Sequence, residues 1–478
     1  MADVGAGRPA GALRRALIPL ALAQFICSFA GSNLNVMIND ISHDLDTTVQ
    51  GVQITITLFL LIMAALMIPG GKLTDRYGRK RCFMVGLGLY GIGALLSAVS
   101  PGLGVLILGN SIFEGVGTAL LIPPVYILTT LLFTDIPSRA KAFGAISAMG
   151  GIGAAAGPLI GGLIASAISW RAAFIFQVLV IATIIWLSRR LEDPLPPRPS
   201  LPFDTLGAVL SAAGLVLVVM GILAADNNLW LTLGLIAAGV VVLALFLRET
   251  RKKERTGREP LLSTGLFYNR TSNLGLVTQN AQWLLLSGVS FVVSAFLQVV
   301  RGYNAIQTGV IFTALTAGLL VSSLAAERFA KRRAQRTLIV GGFAVTLFGI
   351  AVLLTMAAGI SSVLACIPGL LLIGFGLGAM LTPSVNVVQS SFDEAHQGEI
   401  SGLSRSISNL GSSFGTALAG TVLVAEITRT PERGYALAIV VLAVAGCGGL
   451  VAALFLPRTP APVAQPVADR SPTQLTDH

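Results

Sequence analysis

The sequence predicts an all-α polytopic membrane protein: fourteen transmembrane helices, arranged as two six-helix bundles with a helix pair inserted between them. Three observations carry that expectation. The chain of 478 residues is 54% hydrophobic and only 11% charged, less than half the roughly one-quarter charged content of soluble domains. Its apolar stretches are repeatedly about 20 residues long, enough to cross the hydrocarbon core of a bilayer. Basic residues gather between alternate stretches, as the positive-inside rule expects. Gly, at 53 of 478 residues, adds the small-residue excess of closely packed membrane helices. This composition excludes a disordered chain, a disulfide scaffold and an ordinary cytosolic enzyme.

The elements follow in order. Span 1 covers 16–38; its start resembles a signal peptide, but the apolar run continues without a clear cleavage site, so it reads as a retained span. An acidic loop (Asp40, Asp44, Asp46) leads to span 2 at 51–70. Span 3 (82–99) follows a basic run, and span 4 (104–130) carries an acid at mid-depth. Span 5 (141–167) is Gly-rich, and span 6 (172–188) stops at Arg189-Arg190. Spans 7 (205–225) and 8 (229–247) are apolar runs between two basic linkers. Spans 9 to 14 fall at 272–298, 305–326, 337–357, 361–388, 400–425 and 434–456. The expected organisation is a cytoplasmic N-terminus (1–15), a first bundle (16–190), a linker (191–204), the inserted pair (205–248), a basic linker (249–271), a second bundle (272–457) and a Pro-rich disordered tail (458–478).

Charge sets the orientation. The net +10 comes from 32 basic and 22 acidic residues, which by itself would suit nucleic acid. The distribution rejects that reading: with the N-terminus inside, 27 of the 32 lie on inner segments. Outer loops hold Arg171, Arg301, Arg429 and Arg433. Both termini are therefore expected in the cytoplasm. Cys27, Cys82, Cys366 and Cys447 sit in or beside apolar segments with no CxxC spacing, so neither disulfides nor zinc are expected. No GxxxxGK[ST] loop and no HExxH occur, which leaves no nucleotide or metal cofactor to propose.

Two motifs recur. Gly71-Lys-Leu-Thr-Asp75-Arg76-Tyr-Gly78-Arg79-Lys80-Arg81 after span 2 is echoed by Glu327-Arg328-Phe-Ala-Lys331-Arg332-Arg333 after span 10, shifted by 252. Gly153-Ala-Ala-Ala-Gly157 in span 5 is echoed by Gly411-Ser-Ser-Phe-Gly415 in span 13, shifted by 258. Similar shifts imply two six-helix repeats, the plan of a rocking-bundle transporter.

These residues resemble the major facilitator superfamily, in its fourteen-span drug:proton antiporter branch. Gly71–Arg81 matches the family's signature loop. Gly153-x-x-x-Gly157-Pro158-x-x-Gly161-Gly162 matches its antiporter motif, followed by Ser169-Trp170-Arg171. Phe203-Asp204-x-Leu206-Gly207 resembles the start of the inserted pair, and Phe296-Leu297-Gln298-x-x-x-Gly302-Tyr303 the end of the first span of the second half. The resemblance implies the major facilitator fold and alternating access. It also implies proton-coupled export of drug-like compounds, as in multidrug efflux and antibiotic resistance, across the cell (inner) membrane. The expected partners are the bilayer, a small amphipathic organic substrate and protons, with the monomer as the functional unit. Gly71, Asp75, Arg76, Gly78, Arg79 and Lys80 form the expected gate. There Asp75 caps the inner end of a neighbouring helix or pairs with an Arg across the seam between halves; the plainer alternative is a solvated anchor. In span 5, glycines four apart allow close backbone approach, and Pro158 can bend the helix. Joined to Gly161-Gly162, they suggest a dry hinge between halves.

A census of charge by depth marks two side chains clearly inside spans, Glu114 and Arg405. Such a charge costs at least ~2.5 kcal/mol on insertion scales and usually faces a cavity. Glu114 is the candidate proton carrier, with Asp40 as the edge alternative. The plainer readings are a helix–helix hydrogen-bond donor for Glu114 and snorkelling for Arg405. Two groups common in the family are missing: the stretch Ala30–Val36 has no acid, and Ser111 and Glu114 stand where an Arg and a Gln are usual. The candidate cavity is lined by Asn33, Asn35, Gln53, Glu114, Tyr126, Gln279, Gln282, Trp283, Asn386, Arg405 and Asn409. Amides with few charges suit an amphipathic or weakly cationic organic substrate. The rival with the same fold is a lipid or fatty-acid flippase, which a lateral opening between spans 5 and 13 would favour. A membrane-embedded enzyme is remote, because the spans hold no His and no carboxylate pair; His43, His396 and His478 lie outside them. A structural scaffold is disfavoured by the buried Glu114.

Overall fold

The computed structural model describes residues 10–133, 135–199, 202–225, 229–330, 335–355, 366–392, 397–426 and 430–458. The side chains of Glu327 and Arg328, residues 331–334, His396, Arg429, His478 and the tail from 459 fall outside the described residues, as do Arg8 and the side chains of Arg14 and Arg15. The second copy of the signature motif is therefore not placed.

Each expected span is a helix, and no strand occurs among the described residues. Span 1 runs through Ala10–Asn33, a 3-10 stretch Leu34–Met37 and Ile38–Asp44. Span 2 is Val49–Tyr77, span 3 Arg79–Ala98, span 4 Leu103–Leu132, span 5 Ile136–Ala167 and span 6 Trp170–Ser188. The inserted pair is Thr205–Leu223 and Leu229–Arg255. The second half comprises span 9 (Arg270–Val300), span 10 (Ala305–Ala330), span 11 (Gln335–Leu354), span 12 (Cys366–Gln389), span 13 (Gln397–Glu426) and span 14 (Pro431–Leu454). Thirteen of these are long and apolar enough to cross a membrane; span 5, bent by 40° between Ala154 and Ala156, is the fourteenth when its two parts are taken as one span. Pro158 sits just beyond that break, where its missing N–H removes a hydrogen bond one turn back.

Starts are capped by side chains the sequence places there. Thr48, Asp135, Ser169, Asp204 and Asn269 accept backbone N–H groups of Gly51, Ser138, Ala172, Gly207 and Ser272, which satisfies donors that a helix leaves open. Two boundaries differ from expectation. Span 2 continues to Tyr77, so most of the expected signature loop is helix, and Gly78 (φ +99°) makes the whole turn into span 3. Span 8 continues through the basic run to Arg255, because Arg248 to Arg255 are good helix formers with basic side chains near the negative helix C-terminus.

The halves repeat each other in packing. Within the first, span 5 lies on span 1: a Cβ on Gly153 would strike the Phe25 carbonyl, and one on Gly157 would strike Ser32. Within the second, span 13 lies on span 9 in the same way, with Gly411 against the Asn280 carbonyl and Gly415 against that of Leu284.

The halves meet along two antiparallel seams. Spans 2 and 13 pair from Gln53 with Ala417 and Thr421, through Thr57 with Ser413 and Ala64 with Ser406, to Lys72 with Glu399. From Gln53 to Lys72 that is about 28 Å, close to the ~30 Å hydrocarbon thickness. Spans 5 and 10 pair through Gly162 against Ala305 and Gly309 against the Pro158 carbonyl. Spans 5 and 13 belong to different seams, so the opening between them that would favour a flippase is not seen among the described residues. The inserted pair breaks the symmetry: Val219 and Leu223 of span 7 pack with Leu61 and Ala417, covering the seam of spans 2 and 13.

Candidate functional site

The inter-half contacts occur at three depths. Toward the outer side, the Asn35 carbonyl accepts from the Ser294 hydroxyl and from Gln298 Nε2 at 2.8 Å, while Gln298 Oε1 accepts the Asn39 N–H at 3.2 Å. The 3-10 stretch of span 1 frees that carbonyl from the α-helical ladder, and a π-turn at Phe296–Val300 presents Gln298. Irregular turns of this kind gather at functional places in membrane helices. Asp40 lies beside this latch in the short helix Ile38–Asp44, partly buried.

At the inner side, Lys72 Nζ meets Glu399 at 2.7 Å, each side chain about a third exposed (32% and 27%). This is the cross-seam ion pair, and it involves neither Asp75 nor an Arg. Asp75 instead binds Arg79 of its own motif at 2.9 Å. The inner end of span 3 is capped by Asp193, whose carboxylate accepts from the N–H groups of Arg79 (2.6 Å) and Lys80 (3.2 Å). The signature residues thus lock the turn between spans 2 and 3 to the chain after span 6. The expected reach of Asp75 across the seam is corrected accordingly.

Between these levels, Arg405 of span 13 crosses to span 4. Its guanidinium donates to the Tyr126 hydroxyl and lies over the ring, 4.6 Å from the centroid. Tyr126 donates in turn to Gln24 Oε1 at 3.2 Å and stacks on Phe143 at 5.9 Å. Arg405 stands eight residues beyond Gln397, about 12 Å into the span, and both it and Tyr126 remain partly exposed. Gln279 accepts from Ser404 at 2.9 Å, next to Arg405. Trp283, Asn386 and Asn409 are likewise partly exposed at spans 9, 12 and 13.

Five expected cavity residues are placed elsewhere: Asn35, buried in the outer latch described above, and four more. Gln53 is in the seam, donating to the Thr416 and Ala417 carbonyls and to Thr421. Gln282 is inside the second half, bonded to the Leu377 carbonyl and to Ser384. Asn33 is fully buried under Gly161, with neither amide atom partnered. Glu114 is fully buried within the first half: it accepts from Ser97 of span 3 at 3.4 Å and from Asn110 at 3.3 Å. A π-turn, Ile107–Glu114, turns it toward span 3, where Gly93 and Gly109 let the two helices approach closely. In the glycine motif, Gly153, Gly157 and Gly161 serve the contact with span 1, and the contact with the other half comes from Gly162 and the Pro158 carbonyl.

Sequence reasoning missed Glu399, Ser294, Ser406 and Asp193. Glu399 had a signal, as an acid in the first turn of a span whose partner ends in Lys72. Ser294 had none, because a hydroxyl in an apolar run usually bonds its own helix. Trp170 and Arg171, quoted as a branch motif, have a local task. Both bind Asp44 at the outer end of span 1, and Arg171 also reaches the Ser100 carbonyl at 2.9 Å.

Comparison with known proteins supplies the lineage. Residues 20–246 and 205–416 match the sequence family described as Major Facilitator Superfamily. The puromycin resistance protein pur8 of Streptomyces alboniger is 30% identical, over 85% of this chain and 81% of that protein. The multidrug efflux pump LfrA of Mycolicibacterium smegmatis is 28% identical, over 77% and 73%. A crystal structure of a POT peptide transporter with sulfate superposes with a TM-score of 0.68 over 92% of this chain and 93% of that one, at 16% identity, a likeness of fold alone. Two six-helix repeats, the shared glycine packing and these matches over both halves lead to one statement: this multi-pass membrane protein belongs to the Major Facilitator Superfamily.

Proposed function

We propose that the protein is a secondary active exporter of amphipathic, drug-like organic compounds, driven by proton entry and working by alternating access. The observation that carries this reading is the pair of polar latches on opposite sides of a central, partly exposed site. Asn35, Ser294 and Gln298 hold the outer side, and Lys72 with Glu399 holds the inner side. Each latch joins one half to the other, so each can open while its opposite stays closed. The relatives named for puromycin resistance and multidrug efflux support an outward direction and a drug-like cargo.

Glu114 is the proposed proton carrier. It is a carboxyl at mid-membrane depth, held by Ser97 and Asn110, and it sits behind rather than inside the central site. A change in its protonation therefore acts on the packing of spans 3 and 4 instead of competing with substrate. Purified protein in vesicles with an imposed pH gradient should move an amphipathic dye against its gradient. A protonophore should stop this movement. Dye movement that is indifferent to the pH gradient overturns proton coupling; no movement of any amphipathic compound overturns the exporter reading.

A further inference from the structure

Among the described residues, Arg405 is a cation without a counter-ion: its guanidinium forms no ion pair, and the acids that could serve are engaged elsewhere. Glu399, two turns below on the same helix, holds Lys72; Glu114 is enclosed within the first half with Ser97 and Asn110. What Arg405 has is Tyr126, a neutral phenol that accepts one N–H and offers its ring face. A guanidinium carries five N–H donors in a planar fork, so most of that fork, and all of the formal charge, is left for another group. A charge kept at this depth normally has such a group.

The surroundings narrow its chemistry. The Tyr126 ring is flanked by Phe143, nearly parallel to it (17° between planes). Gln24 fixes the phenol from the other side. The polar neighbours, Gln279 and Ser404 bonded to each other, bring no negative charge. The site lies in the inner half of the membrane, where cargo from the cytosol would arrive. We infer that the Arg405–Tyr126 pair is the cargo-recognition site, and that it takes an aromatic organic acid. The carboxylate, or a like anion, occupies the free edge of the guanidinium, and the ring system lies against Tyr126. This deepens the exporter reading and rests on it. It replaces the weakly cationic cargo that the amide content alone suggested, because an unneutralised guanidinium repels a cation and is a strong partner for a carboxylate.

The recognition has a mechanical consequence. Arg405 belongs to the second half and Tyr126 to the first. An anion that draws the guanidinium from the phenol removes a contact between the halves. Cargo binding and release of that contact are then one event.

Three fluorescent probes of one shape test the assignment: anthracene-9-carboxylate, its methyl ester and 9-aminomethylanthracene, titrated into the purified full-length protein in nanodiscs. The carboxylate should bind about tenfold more tightly than the ester, and the amine most weakly. Arg405→Gln should bring the carboxylate down to the ester's affinity and leave the ester unchanged. Arg405→Lys should keep part of the preference. A parental elution profile and melting temperature for Arg405→Gln show that the variant is folded, so that a lost acid preference reports on the site. Equal binding of acid and amine, an equal loss of all three probes in the Gln variant, or binding of none overturns the inference. A preserved acid preference without outward movement of the carboxylate in vesicles leaves the site standing and removes the exporter reading instead.

Discussion

Breaking the inner latch should shift the balance between conformations by a small, calculable amount. Lys72 and Glu399 are each about a third exposed at the membrane's inner edge, so water screens their attraction. Such pairs contribute about 0.2–1 kcal/mol, which corresponds to a change of about 1.4- to 5-fold in a two-state ratio. Glu399→Gln keeps the shape of the side chain and removes the charge. Labels at Arg81 and Ser390, exposed positions at the inner ends of opposite halves, report the separation of those ends by single-molecule energy transfer. The parent should favour the short distance, and Glu399→Gln and Lys72→Gln should each raise the long-distance population by that factor. Adding salt to the parent should do the same. The double exchange Lys72→Glu with Glu399→Lys should restore the parental ratio. Single variants without effect, or an exchange that fails to restore the distribution, would refute the latch.

Other variants test the rest of the frame. Gly153→Val and Gly411→Val should each cost about 1–3 kcal/mol, seen as a lower melting temperature in detergent, because both Cβ positions meet backbone carbonyls that cannot yield. Glu114→Gln should abolish uphill efflux in pH-gradient vesicles while keeping substrate binding; efflux equal to the parent's would return coupling to Asp40 or to no carboxyl. Asp204 anchors the inserted pair. Burial pushes its carboxyl up, but the Lys253 ammonium and the N–H groups of Gly207 and Leu261 outweigh this and hold it below its ordinary value. A lowered folded pKa means stability that is present above about pH 4 and is lost as pH falls through the lowered value. Asp204→Asn should therefore reduce thermal stability at pH 7 and flatten its decline on acidification; an unchanged pH profile would show that the anchor contributes nothing.

How far the sequence could be read depends on the physics behind each feature. The fourteen spans were legible because a helix in hydrocarbon must be long, apolar and internally bonded, and composition records all three. The two repeats were legible because Gly153 with Gly157 and Gly411 with Gly415 are demanded by the same backbone approach in each half. The direction of a side chain was not legible. Hydropathy places Glu114 at mid-depth, but the π-turn Ile107–Glu114 decides which neighbour it faces, and a one-residue insertion in a helical turn leaves no compositional trace. The partner of Asp75 was equally hidden. Arg79, just past the Gly78 turn, competes locally with any donor across the seam, and it wins because that turn brings the start of span 3 back beside Asp75. Arg405 stood out as an intramembrane charge, yet its neighbour Tyr126 lies 279 residues away, and no local pattern links the two.

The two seams differ in energetics, and the inserted pair adds to the difference. The seam of spans 2 and 13 is laced with side-chain hydrogen bonds from Gln53, Ser406 and Ser413 to carbonyls of the facing helix. Span 7 covers it with Val219 and Leu223, and the linker leucines Leu262 and Leu266 close its inner end against Ile400 and Leu403. The seam of spans 5 and 10 closes by backbone contact at Gly162 and Gly309, with a single polar bond among the described residues, Ile306 N–H to Ser166. It is bare on the outside, where Leu159, Leu163 and Val310 are exposed. Separating the first seam strands several buried polar groups, at about 1–3 kcal/mol each. Separating the second forfeits that one bond and dispersion, which lipid tails replace. The difference begins in the six-helix halves, because Gln53, Ser406 and Ser413 belong to spans 2 and 13, and the insertion adds apolar cover to it. With the insertion present, spans 2 and 13 form the more firmly held side, and spans 5 and 10 the side that would cost less to separate.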